Sequence, residues 1–423
     1  MGDGQRSIWI FILVGGQVTS AILFSVIVIR NIGPGTLTDS YFMAQTLPLI
    51  LSGIAAGALQ GVWLPRLAKS YPSAQDYSRE AIKSYNQSML LALGILIFEF
   101  AVVFVTGFLF FRNDQNFIVL SLILGLTPVL YCLNATQLSL LRSKQIIIAP
   151  EMVACVVSWI ALIPLSIFIL KFGIIFVAIL HLVRYILQTI LFQYLVGMWP
   201  RFSFRLGVDA ERWAELKVIL FGGTITKFSP LVDRSLASQT GGGDLTLFAL
   251  SQAAANALST VLDRTFAMPS IAPISRLASE SRWDEMLGRL HSVLFKIFLL
   301  GIVAGVFFGF AGDQIQKLIA LILNVDGPSS VNIFYILALL MGSVFISAYG
   351  GTLVYGFYSI ADTATPTKIG VLGFLGSIAI KYTLFEGYGI FGLAAAVSIY
   401  YLINLIFMYC LLIRKINTLK LTG

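Results

Sequence analysis

The sequence predicts an all-α polytopic membrane protein with about 12 transmembrane helices in two parallel six-helix lobes. Three observations predict this class. Hydrophobic residues make up 58% of the 423 residues, and charged residues make up only 11%. The apolar residues fall in runs that are long enough to cross a bilayer, and the two halves of the chain match each other in order. A soluble domain could not hide so much apolar surface, whereas lipid accepts it around a whole helix.

The apolar runs place the expected spans. A span needs about 20 residues, and the first run follows Arg6 at full length, which favours a retained helix over a cleaved signal. The run at 318–323 is too short to cross and extends a loop or a helix end. No loop is long enough for a large extramembrane enzyme module. The predicted spans are 8–29, 41–64, 88–111, 117–140, 147–170, 174–196, 218–238, 245–268, 293–311, 331–355, 369–385 and 391–412.

The net charge of +8 could indicate a nucleic-acid partner, but its distribution argues against one. Lysine and arginine concentrate in alternate loops, for example between Arg66 and Lys83 and between Arg201 and Lys217. Cytoplasmic loops carry such an excess of positive charge. We therefore expect a multi-pass protein with both termini in the cytoplasm, as an even number of spans requires.

The two halves of the chain match at corresponding places. Pro150 and Pro366 each begin a span and lie 216 residues apart (366 − 150), and Gly173 and Gly389 precede the last span of each half at the same offset (389 − 173). Duplication of a unit with an even number of spans keeps its orientation, so we expect parallel repeats that enclose a cleft. Alternate opening of this cleft favours transport over a merely stable bundle. The predicted domains are an N-lobe at 1–200, a cytoplasmic linker at 201–217 and a C-lobe at 218–423.

Charged side chains inside the seventh span need an explanation. Each charge costs about 2.5–3.5 kcal/mol at the bilayer centre, so we expect Lys227, Asp233 and Arg234 to face a wet cavity or one another. Lys227 and Arg234 are seven residues apart and share one helix face. Lysine and arginine suit the oxygens of a phosphate or a carboxylate group.

The eighth span carries a polar stripe. Gln252, Asn256 and Asp263 recur at helical spacing, and Arg264 flanks them. Together with the seventh span, the stripe predicts a cationic, polar cavity. The alternative is that the aspartates and arginines of these spans form ion pairs that only fix packing, with pairing across spans seven and eight.

These patterns give two sets of candidate residues. In the first set the cations would bind phosphate and the amides would contact sugar hydroxyls, although Arg30 could simply reach the membrane surface. In the second set, Glu99 is either a proton site or a hydrogen-bond partner for a neighbouring helix. The substrate-binding candidates are Lys227, Arg264, Arg234, Arg30, Gln252, Asn256 and Gln45. The candidates for gating or ion coupling are Asp39, Asp233, Asp263 and Glu99.

No catalytic pattern emerges from the residues. His181 and His291 stand alone, and the three cysteines lie in apolar spans without a CxxC pair, so the sequence predicts no metal site. The glycines at 241–243 form a short outer turn and lack the context of a phosphate loop. We therefore expect no cofactor, and coupling of any uphill transport to Na⁺, H⁺ or the membrane potential.

Several motifs resemble a known family. The segment 33–66, with Thr38-Asp39-Ser40-Tyr41-Phe42 and Leu64-Pro65, and the segment around Gly356-Phe357-Tyr358-Ser359 are similar to MurJ/MviN-type lipid II flippases of the MOP exporter superfamily. The resemblance implies a bacterial inner-membrane flippase for an undecaprenyl-diphosphate-linked glycan, with two lobes, a cationic central cavity and a lateral gate. It also implies contact with membrane lipids and with other membrane proteins of glycan assembly.

Some family features are absent. The resemblance implies arginines inside the first two spans, but none lies between Val18 and Ile29, and Ser52 and Gly53 occupy the middle of the second span. The cargo is therefore either lipid II or another lipid-linked oligosaccharide or exopolysaccharide unit. Three rivals remain open: a MATE-like small-molecule exporter, a membrane-embedded glycan polymerase or ligase, and a membrane scaffold without transport activity.

Overall fold

The computed structural model describes residues 3–71, 73–109, 115–198, 213, 216–217, 220, 227–360, 362 and 364–422. Every regular element in these ranges is helical. Nine of the described helical segments are long and apolar enough to cross a membrane. The elements are α1 (Asp3–Ile32), α2 (Thr36–Ser70), α3 (Ala74–Leu109), α4 (Gln115–Leu124), α5 (Thr127–Ser143), α6 (Ile148–Ile160), α7 (Leu162–Val196), α8 (Ser229–Ala237), α9 (Asp244–Leu262), a π-helical turn (Asp263–Ala267), α10 (Met268–Ser279), α11 (Trp283–Phe310), α12 (Gly312–Leu323), α13 (Gly327–Ser359) and α14 (Ala364–Thr422).

Two glycines divide the longest helices. The 59 residues of α14 would extend about 90 Å as one straight helix, three times the apolar thickness of a bilayer. Gly389 interrupts it with φ 57° and ψ −138°, and Gly173 interrupts α7 with φ 67° and ψ −159°. Residues with a side chain rarely adopt this backbone conformation. The two positions are those matched by the internal repeat, so both halves end in the same pair of spans.

Two predicted spans contain breaks. The span at 117–140 is interrupted at Gly125 and Leu126, between α4 and α5, and Pro128 lies in the first turn of α5. The span at 245–268 passes from α9 into the π-helical turn and then into α10. A π-helical turn inside a helix is rare and frequently marks a functional position. The run at 318–323 forms the end of α12.

The chain divides into two compact units, residues 1–231 and 232–423. In the first, α2, α3 and α5 pack around Trp63, which is fully buried and donates a hydrogen bond to Ser88 Oγ at 3.0 Å. In the second, α10, α11, α13 and α14 enclose a core that includes Phe357. Large apolar side chains such as Phe104 and Phe310 are exposed, as lipid-facing residues are. The linker predicted at 201–217 lies mostly outside the described residues, so the proposed lobe boundaries stay predictions.

Hydrogen bonds set the register of α3 against its neighbours. Tyr77 donates to Leu140 O at 3.0 Å, and Ser88 Oγ lies 2.5 Å from Thr136 Oγ1. These pairs make α3 and α5 antiparallel. Extending the register by 11 residues from Ser88 places residue 99 level with residue 125, beside the break between α4 and α5.

Candidate functional site

One exposed cation in the first unit lies against a helix surface without side chains. The ammonium of Lys227 donates to the backbone oxygen of Gly53 at 3.3 Å. A Cβ at Gly57 would lie 3.8 Å from the same ammonium. Gly53 and Gly57 are one turn apart on α2 and are both exposed, so Lys227 is exposed along a bare strip of α2.

A polar network continues along this face of α2. Arg142 of α5 donates to Gln60 Oε1 at 2.8 Å and forms an ion pair with Glu151 of α6 at 3.0 Å. Gln17 of α1 donates to Glu151 Oε2 at 3.3 Å. Gln60 lies seven residues after Gly53 and therefore shares its face. We call Gly53, Gly57, Gln60, Lys227 and Arg142 the α2 cationic face.

Sequence reasoning missed two members of this arrangement. Arg142 follows an apolar run and counts there as an ordinary cytoplasmic loop charge, whereas the structure places it in the last turn of α5 with a helix-to-helix ion pair. Glu151 follows a proline at the start of a span and gives no signal in the sequence. Only the packing of α5 against α6 brings the two side chains together.

The remaining candidates of the first unit are dispersed. Arg30 is exposed in the last turn of α1, and Asp39 and Gln45 are half-buried on the first turns of α2. Glu99 is fully buried on α3. The hydrogen bond to a neighbouring helix that the sequence predicts as one role for Glu99 is absent, because neither carboxyl oxygen has a partner among the described residues.

A second polar cluster of the first unit surrounds Arg184 on α7. Its guanidinium donates to the hydroxyl of Tyr185 at 2.5 Å and lies 4.5 Å from the centre of that ring. Tyr185 and Tyr131 are linked by a hydrogen bond of 2.7 Å. His181 is buried and packs against Tyr185. The cluster ties α5 to α7.

In the second unit, Asp233 of α8 and Lys381 of α14 form a fully buried ion pair at 2.6 Å. The side chains are 3% and 0% exposed, respectively. Gln252 of α9 donates a further hydrogen bond to Asp233, and the Lys381 ammonium lies 5.7 Å from the centre of the Tyr400 ring. Asp233 therefore pairs with the eleventh span, whereas the packing alternative predicted pairing across spans seven and eight.

The other polar residues of the second unit are more accessible. Arg234 is half-buried and near enough to Asp233 for an electrostatic interaction, and Asn256 is exposed on α9. Asp263 is half-buried at the start of the π-helical turn, 3.5 Å from the position that a Cβ at Gly351 would take. The backbone of Arg264 is in the same turn, and its side chain lies outside the described residues.

The charges of the two units differ in kind. The first unit presents Lys227 and Arg142 against the single carboxylate of Glu151, which leaves an excess of positive charge along α2. In the second, the Asp233–Lys381 pair is neutral as a whole and inaccessible to a ligand. The described residues contain no group of three or more metal-ligating side chains. This chemistry suits binding of an anion by the first unit.

Comparison with solved structures defines the class. The chain has a TM-score of 0.77 to a MATE-family multidrug resistance transporter of the MOP superfamily in an inward-facing conformation, at 14% identity over 96% of each chain. It has a TM-score of 0.80 to lipid II flippase MurJ in an inward closed conformation, at 17% identity over 98% of this chain and 90% of that one. The fold is therefore that of the MOP transporters.

Sequence comparison narrows the class to one family. Residues 28–423 match the family described as "Lipid II flippase MurJ". A protein named probable lipid II flippase MurJ from Borreliella burgdorferi is 25% identical over 389 residues, which is 86% of this chain and 74% of that protein. The chain belongs to the MurJ lipid II flippase family. The predicted fold class and the predicted family are confirmed, and the protein is a membrane transporter rather than an enzyme.

Proposed function

We propose that this protein moves a polyprenyl-diphosphate-linked glycan from the cytoplasmic to the outer leaflet of a bacterial cytoplasmic membrane by alternating access. The family is named for lipid II, which is a glycan of this kind. Lipid II is therefore the first cargo to test. An exopolysaccharide or O-antigen-type repeat unit has the same lipid diphosphate and is the second.

The observation that carries the proposal is the exposed ammonium of Lys227 on the α2 cationic face. A diphosphate offers several charged oxygens, and hydrogen bonds between charged groups contribute about 1.5–3 kcal/mol each. Gly53 and Gly57 keep side chains away from the ammonium, so a bulky head group could approach it. Arg234 and Arg264 stay predictions for the same role, and Gln45, Gln252 and Asn256 stay predictions for sugar contacts.

The proposal includes an energy source and partners. No cofactor is involved, and net movement draws on a Na⁺ or H⁺ gradient or on the membrane potential. The partners are membrane lipids and the membrane proteins that make and consume the lipid-linked glycan. Both termini lie in the cytoplasm, and reporter fusions that are active only on one side of the membrane test this orientation.

Reconstituted vesicles test the function directly. Lipid II and a second polyprenyl-diphosphate glycan are placed in one leaflet, and their arrival in the other leaflet is followed. We expect Lys227→Ala to slow transport about tenfold to a hundredfold, because the variant loses one charged hydrogen bond worth about 1.5–3 kcal/mol. Lys227→Arg should retain most of the rate, since it keeps the charge.

The matched control is Lys171→Ala. Lys171 is also an exposed lysine of the first unit, but its ammonium only lies 5.4 Å from the centre of the Phe172 ring. Equal rates for wild type and correctly inserted Lys227→Ala would exclude the phosphate role of Lys227. Movement of cationic drugs without movement of either lipid would favour the MATE-like rival, and lengthening of the glycan would favour a polymerase.

A further inference from the structure

Glu99 differs from every other acid that the sequence singles out. It is 0% exposed, it lies on a membrane-spanning helix, and neither of its carboxyl oxygens has a hydrogen-bond partner among the described residues. Its neighbours Ile97 and Phe98 are exposed, whereas Ala92 and Val103 are buried on the same face of α3 as Glu99. The carboxyl group therefore points into the protein and not into lipid.

The carboxyl group of Glu99 lies at the break between α4 and α5. Its Cδ is 3.4 Å from the position that a Cβ at Gly125 would take, and the backbone oxygen of Ser121 is 2.9 Å from that position. The last carbonyls of α4 and the first amides of α5 therefore meet beside Glu99. Helix ends leave such groups without intrahelical partners.

The break offers partners to both forms of a carboxyl group. A protonated carboxyl can donate to the carbonyl end of α4, and an ionised one is favoured by the amide end of α5. Leu126 occupies the N-cap of α5 and has no side chain that could cap it. Ser121 and Thr127 are also buried at this break, and their hydroxyl oxygens have no partner among the described residues.

No charge near Glu99 compensates an ionised carboxylate. The helices packed against α3 are α2, α4 and α5. Their titratable side chains among the described residues exert no resolved electrostatic effect on Glu99. The register from Trp63 and Ser88 places Ser52 of α2 level with Glu99, and this residue is neutral. The titratable side chains are Asp39, Tyr41, Arg66, Tyr131, Cys132 and Arg142.

We propose that Glu99 and the α4–α5 break form a proton-binding site of the first unit, and that this proton is the coupling ion of transport. An uncompensated charge in a dry, apolar environment is costly, so the group carries its proton at neutral pH. Release of the proton moves the carboxylate from the carbonyl end of α4 to the amide end of α5. That change links proton binding to the angle between two helices. The transport part of this inference rests on the proposed function, and the proton site does not.

Infrared spectroscopy tests the proton site without transport. We compare wild type with Glu99→Gln, which keeps the shape and cannot ionise, and with Asp76→Asn, which removes an exposed carboxylate from the same helix. Wild type in lipid nanodiscs at neutral pH should show the carbonyl band of a protonated carboxyl group. The band should be absent in Glu99→Gln and present in Asp76→Asn. A band that persists in Glu99→Gln overturns the proposal, and so does a wild-type band that appears only when Na⁺ is removed, since Glu99 would then be a sodium ligand.

Vesicles with an imposed pH gradient test the coupling. If one proton moves with each lipid, one pH unit should shift the ratio of lipid between leaflets about tenfold in wild type and in Asp76→Asn. Glu99→Gln should show no shift, while it still equilibrates the lipid. A full shift in Glu99→Gln overturns the coupling role. Failure of wild type to move any lipid would overturn the proposed function instead, and the infrared result on Glu99 would stand.

Discussion

Removal of Lys381 is the perturbation whose effect the structure defines best. The ammonium and the Asp233 carboxylate are 2.6 Å apart, and both side chains are at most 3% exposed. Lys381→Met keeps the length of the side chain and deletes the charge, so Asp233 is left as a buried carboxylate without its cation. Breaking a buried pair in this way costs about 3–5 kcal/mol. For a unit of this size, the melting temperature should fall by on the order of 10 °C.

The double variant Asp233→Leu, Lys381→Met provides the internal control. Replacing both members of a buried ion pair by apolar residues of similar size is often neutral or stabilising. Thermal unfolding of the purified proteins in one detergent should therefore rank wild type and the double variant close together, with Lys381→Met well below both. An unchanged melting temperature in the single variant, or an equal loss in the double variant, would refute the assignment of the pair as a coupled structural element.

Two further predictions concern the backbone and a loop. Gly389→Ala should lower stability by about 1–2 kcal/mol because φ is 57° there, whereas Gly387→Ala, with open space around its Cβ position, should not; equal melting temperatures would contradict this reasoning. Asp362 follows α13, and although burial alone would raise the pKa of its carboxyl, hydrogen bonds from Lys415 and Thr365 lower it to about 2. A lowered pKa stabilises the folded state above the unfolded value of about 4, so the difference in unfolding temperature between wild type and Asp362→Asn should be full at neutral pH and vanish as the pH falls from about 4 to 2; a constant difference would argue against the charge.

Hydropathy and repetition were sufficient to predict the architecture from the sequence. Membrane spans need long apolar runs whatever their neighbours are, so span positions can be read locally. The Gly173–Gly389 match shows the same for the repeat, since a backbone conformation that requires glycine leaves its mark at one residue in each half. The breaks beside Gly125 and at Asp263 were not predictable, because both lie inside runs whose composition is uniformly apolar or helix-compatible.

Partners of charged residues were much harder to predict. Lys381 occurs in a predicted span near its outer end, where a lysine commonly reaches the membrane surface. Its partner Asp233 lies 148 residues earlier (381 − 233), and only the packing of α8 against α14 joins them. Arg142 and Glu151 are similar, because their pairing depends on the path of the chain between α5 and α6. Sequence periodicity assigns a residue to a helix face, but it does not identify the helix opposite that face.

The structure separates acids that the sequence treats alike. Asp233 already has a cation from its own chain, so binding a coupling ion there would require displacement of Lys381 from a pair that excludes solvent. Asp39 and Asp263 are half-buried, and hydration can support their charge. Glu99 alone among the four is fully buried and without a hydrogen-bond partner in the described chain. An ion that travels with the cargo must bind and leave in each cycle, so a group whose protonation changes its helix partner is better suited to coupling than a permanently neutralised pair.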